Sequence, residues 1–118
     1  MEDAAKDETA LACRHEALGA AEKARHQELL RDLMTSVRER QESPDGYGFR
    51  LPPDAFLKAA EWITLERRCC PFLRFGLDWA EGESAPWLRL GGREGVKEFL
   101  VRVAAGEGAA LSLKGAAP

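Results

Sequence analysis

"ERRCCPFLRFGLDW", Glu66 to Trp79, decides the fold. Upstream, apolar residues recur at helical spacing: Phe56, Ala60, Ile63 and Cys70 form one row, and Ala59, Trp62 and Cys69 its neighbour. Pro71 then forbids continuation, because the residue before a proline is driven from the α region. Beyond it the period drops to two. Leu73, Phe75, Leu77 and Trp79 alternate with Phe72, Arg74, Gly76 and Asp78, which is the pattern of a strand. The stretch is therefore a helix end, a break and the first strand of a hairpin. The two cysteines sit at the break.

The segments on either side extend this reading. "EGES" turns the hairpin, and Trp87, Leu88 and Leu90 continue on its second strand. Upstream, "LPPD" opens the helix with a proline suited to a first turn and a carboxylate at the positive end of the helix dipole. Before that, Tyr47, Phe49 and Leu51 alternate with Gly48 and Arg50 as a short strand, preceded by the turn "SPDG". Leu30, Leu33, Met34 and Val37 mark one face of a helix over Ala20 to Glu42. At the far end Val96, Phe99, Leu100 and Val103 mark another, and "ALSLK" reads as a final short strand or a tail. "LGGREG" before that last helix lacks the spacing of a phosphate-binding loop and is read as a strand-to-helix turn.

The expected architecture is α+β in two layers: an N-terminal helix, then β-α-β-β-α. The central part is a split β-α-β unit, with the third strand inserted between the first two, and it becomes ferredoxin-like if "ALSLK" pairs as a final strand. The 118 residues fit one domain, 1–118, with 1–10 as a loosely held tail.

Composition excludes several function classes. Hydrophobic residues make up 45% and charged residues 31%, the balance of a soluble globular domain. The formal net charge of -3 argues against duplex DNA or an anionic membrane as partner. The acidic start "MEDAAKDETA" lacks the apolar region of a secretory signal, and no run approaches a membrane span. A cytoplasmic setting is expected, in which the three cysteines are free thiols, ligands or redox groups.

Three readings of the cysteines compete. Cys69 and Cys70 can bind a thiophilic ion such as mercuric ion or trivalent arsenic. Cys13 joins them as a third ligand if the N-terminal segment folds back over the end of the helix. Alternatively the cysteines are buried structural residues of a non-catalytic interaction module. Such a module would form a homodimer through a sheet edge or through the aromatic face around Trp79 and Trp87. A thiol redox switch is the third reading, and the least favoured. A helix C-terminus disfavours a thiolate, burial among Trp62, Phe72 and Phe75 does the same, and Arg67, Arg68 and Arg74 oppose both effects. No catalytic signature is complete, so no cofactor is assigned beyond a soft metal or metalloid ion. Glu66 is expected to form an ion pair with an arginine of the Arg67 to Arg74 stretch or another nearby cation, and His26 to lie on the surface near Glu22.

The stretch "ERRCCPFLRF" also resembles that of a group of small uncharacterised bacterial proteins carrying an ER-x-CCPF-x-x-F motif. In that group a hairpin and a glycine-rich turn into a helix follow, as in "WLRLGGREGVKEFL" here. The resemblance covers about the last two thirds of the chain. It implies a bacterial source and carries no catalytic residues.

Overall fold

The structure, a computed structural model, describes residues 14–106. Three helices and four strands follow one another as α1 (Ala20–Ser36), β1 (Glu39–Ser43), β2 (Gly46–Arg50), α2 (Phe56–Cys69), β3 (Arg74–Asp78), β4 (Trp87–Gly91) and α3 (Val96–Gly106). One-turn 3-10 segments, His15–Ala17 and Pro53–Ala55, precede α1 and α2. The fold is α+β, with a four-stranded sheet in the order β1-β2-β4-β3. Every neighbouring pair of strands is antiparallel. No helix among the described residues is long and apolar enough to cross a membrane.

The order differs from the expected one by a strand. The first helix stops at Ser36 rather than Glu42, and Glu39–Ser43 pairs with β2 as a hairpin across Pro44 and Asp45. Local chemistry ends the helix. The Thr35 hydroxyl donates to the Asp32 carbonyl at 3.1 Å and the Ser36 hydroxyl to the Leu33 carbonyl at 2.8 Å, which satisfies carbonyls of the last turn. Val37 follows in extended conformation. Among the described residues the added strand lies before the β-α-β-β part. The tail 1–10 and the "ALSLK" segment lie outside the described residues.

Alternation assigns the faces of the sheet. Tyr47 and Phe49 of β2 stand opposite Leu90 and Leu88 of β4, which stand opposite Phe75 and Leu77 of β3. Leu29, Leu33 and Met34 of α1, Ala59, Trp62 and Cys69 of α2, and Val96, Phe99 and Leu100 of α3 join the strand residues in one core. The other face carries Gln41, Gly48, Arg89 and Gly76 in one row. Arg89 crosses Gly48 to reach the Gln41 side-chain oxygen at 3.4 Å. Trp87 lies on that face beneath the guanidinium groups of Arg50 and Arg89.

Close approach of backbone fixes one glycine. A Cβ on Gly46 would lie 1.9 Å from the Leu90 carbonyl oxygen. Gly46→Ala must therefore push β2 away from β4, while Phe49→Ala, at a fully buried position, opens a cavity worth about 3–5 kcal/mol. Urea unfolding should show both variants destabilised, with Phe49→Ala in that range. A loss under 1 kcal/mol for Phe49→Ala, on the order of a surface change, would contradict this packing.

Candidate metal centre

Helix α1 runs antiparallel to α2, and polar residues tie the two together along their length. Glu22 accepts from Arg68 at 2.8 and 3.1 Å, Arg25 donates to Glu61 at 2.8 and 2.9 Å, and Lys58 meets Asp32 at 3.5 Å. These pairs are exposed or only part-buried, and each adds little stability by itself. They fix how the helices face each other. Arg68 holds the Glu22 carboxyl below its usual range, and Arg25 does the same for Glu61. Any stability they contribute is present at neutral pH and is lost as pH falls through those lowered values.

On the inner side of this ladder lies a different contact. His26 Nε2 and Glu66 Oε1 are in close hydrogen-bonding contact, and the Cys69 thiol donates to the same carboxylate oxygen at 3.7 Å. Helix geometry explains the convergence. Glu66 and Cys69 are three residues apart, hence neighbours on one face of α2. Trp62, one turn before Glu66, stacks on the His26 ring with centroids 6.1 Å apart. Glu66 retains 9% of its exposure and Cys69 3%. One ligand atom from each of His26, Glu66 and Cys69 lies within 4.8 Å of the other two.

Sequence reasoning assigned Glu66 and His26 differently. Glu66 does not pair with a neighbouring arginine: Arg68 turns outward to Glu22, and Arg74 reaches Asp45 at 2.7 Å. His26 is half-buried against α2 rather than lying free on the surface. The available signal was the position of Glu66 on the apolar side of α2, between Trp62 and Cys69.

The vicinal cysteines have separate roles. Cys69 is a free, buried thiol. Cys70 is fully buried and disulfide-bonded, whereas the sequence reading expected free thiols, ligands or redox groups. Cys70 caps α2 by donating its N–H to the Glu66 carbonyl at 2.7 Å, and Leu73 N–H returns to the Cys70 carbonyl at 3.2 Å. The N-terminal segment does fold over this helix end: Arg14 N–H donates to the Cys69 carbonyl at 2.6 Å, and Arg68 to the Ala17 carbonyl at 3.0 Å. Cys13 lies outside the described residues.

Burial, and then the charge of Glu66, push the Cys69 thiol up from 9.0 to about 12; Arg68 opposes this only weakly. Comparison with family models, curated proteins and solved structures finds no match for this chain.

The raised value has two consequences. Near neutral pH the thiolate is much scarcer than in an unfolded chain, because burial and the Glu66 carboxylate keep the proton on sulfur. Alkylation of Cys69 in the metal-free protein should be slower than in urea-unfolded protein, and faster alkylation would refute the burial described. The folded state also keeps a proton that the unfolded chain loses near pH 9.0. Stability from this group is complete below that pH and declines as pH rises toward 12. Cys69→Ala should flatten that decline in urea titrations at alkaline pH.

Proposed function

We propose that this chain is a thiophilic metal-binding protein, and that His26, Glu66 and Cys69 are its ligands. The observation that carries this reading is the convergence of an imidazole nitrogen, a carboxylate oxygen and a thiol sulfur on one nearly buried point between two helices. Imidazole, carboxylate and thiolate are the three donor types that zinc accepts, with bonds of about 2.0–2.3 Å. Four-coordinate geometry at those lengths puts ligand atoms about 3.3–3.8 Å apart. The 3.7 Å between Cys69 Sγ and Glu66 Oε1 already falls there and all three separations lie within 4.8 Å, while the close His26–Glu66 contact would have to widen as an ion takes the place of their hydrogen bond.

The donor set refines the expected ion. Trivalent arsenic favours a set of thiolates, whereas one nitrogen, one oxygen and one sulfur suit a borderline divalent ion such as zinc or cobalt. Three protein ligands leave a fourth position for water or another ligand, the arrangement used where an ion is exchanged or does chemistry. The His26 side chain, 17% exposed, is the side from which an ion would arrive. Binding must displace the Cys69 proton, so affinity rises with pH and binding releases acid. The cytoplasmic, bacterial setting expected from the sequence accompanies this reading, as does the absence of a nucleic-acid partner.

Cobalt titration tests the proposal. One equivalent should produce a thiolate-to-cobalt charge-transfer band in the near ultraviolet and change the fluorescence of Trp62, which stacks on His26. Zinc should displace the cobalt. Cys69→Ser should remove the charge-transfer band, and His26→Ala or Glu66→Gln should weaken binding about tenfold or more, at least what losing a partner that merely orients a ligand costs. Titration with and without a phosphine reductant separates the sulfurs. Equal stoichiometry in both supports the Cys69 site; binding only after reduction assigns the ion to Cys70. Absence of binding, or binding that survives all three substitutions, ends the proposal.

A further inference from the structure

The two edges of the sheet are built differently. Edge strand β1 reads Glu-Arg-Gln-Glu-Ser, and its core-side positions, opposite Phe49 and Tyr47, are the charged Arg40 and Glu42. Glu42 is held there by Lys97. Charges turned toward the core side of an edge are a standard guard against further strand pairing. The opposite edge, β3, has no such guard. Its core-side residues are Phe75 and Leu77, both only half-buried, with Gly76 between them and charge confined to the ends, Arg74 and Asp78. Among the described residues no strand pairs with its outer side.

The sequence of β3 is its own antiparallel complement. Turned about Gly76, Arg-Phe-Gly-Leu-Asp sets Arg74 opposite Asp78, Phe75 opposite Leu77, and glycine opposite glycine. Each unlike pair occurs twice, as a two-fold axis requires. Directly opposed side chains lie about 4.5–5.5 Å apart at Cβ, within reach for an ion pair or an aromatic-aliphatic contact. Arg74 now leans back to Asp45 through a single nitrogen, and its side chain is 62% exposed. Its other N–H groups remain to meet an incoming carboxylate. Apolar surface continues past the end of the strand. Trp79, 43% exposed, packs on Phe56 at the start of α2, and Leu57, the next residue of that helix, is 78% exposed.

We infer that β3 is a homodimer interface, at which a second copy of this chain pairs antiparallel about Gly76 to form one eight-stranded sheet. The occupant is a second copy because the charge order and the apolar order of β3 complement each other only under a two-fold axis. This interface is separate from the His26, Glu66 and Cys69 cluster.

Sedimentation velocity of the full chain over a range of concentrations tests the inference. A concentration-dependent dimer is expected. Asp78→Arg sets like charges opposite each other at both ends and should weaken the dimer about tenfold or more. Arg74→Asp combined with Asp78→Arg reverses both charges and should restore it, which a merely structural effect of either change would not do. Hydrogen exchange should show the β3 amides more protected at dimer-forming concentrations. A strict monomer at millimolar concentration overturns the inference. So does a dimer indifferent to Asp78→Arg, a double variant no better than the single one, or β3 amides equally protected at every concentration, as a strand supplied by the chain's own termini would make them.

Discussion

A carboxylate placed between two packed helices must find partners, because burying it alone costs far more than a domain of this size can sustain. Glu66 meets that demand through His26 and Cys69, both converging on one oxygen. Much else in the helical layer is consistent with this contact. It draws His26 of α1 inward while the neighbouring Arg25 and Glu22 turn outward to Glu61 and Arg68. It places Trp62 over the imidazole. It also keeps the Cys69 thiol protonated, since a nearby carboxylate and a dry setting both oppose a thiolate. The same polarity that suppresses a free thiolate would favour a cation, as the proposed metal site requires.

The sequence made the α2 end and the hairpin after it legible because two independent signals agree there. Helical periodicity stops at Cys69, and Pro71 cannot continue it. Strand β1 was hidden for the opposite reason. Its Arg40 and Glu42 turn to the core side of an edge, so Glu39–Ser43 shows no apolar alternation and resembles the charged end of a helix. Thr35 and Ser36 stop α1 by local hydrogen bonds that no periodicity reveals. The candidate site was half legible. Cys69 stood out as one of a conspicuous pair, but His26 is 40 residues from Glu66 in sequence. Only the antiparallel packing of α1 on α2 joins them.

The vicinal cysteines draw attention as a unit, yet the helix end parts them. Cys69 completes the buried row of Ala59, Trp62 and Glu66. Cys70 has left helical geometry, with φ -128° and ψ 70°, and is joined by a disulfide. Pro71 is the physical reason, because it forces its predecessor out of the α region. A motif read as a dithiol is thus a boundary between two environments, one facing the polar cluster of α1 and α2 and one closing the helix.

X-ray absorption at the zinc edge of protein loaded with one equivalent of zinc tests the central claim most directly. Ligation by His26, Glu66 and Cys69 requires one sulfur at about 2.3 Å, with the remaining nitrogen and oxygen neighbours at about 2.0–2.2 Å and an imidazole scattering signature. A first shell without sulfur, or with two or more sulfurs, would contradict it.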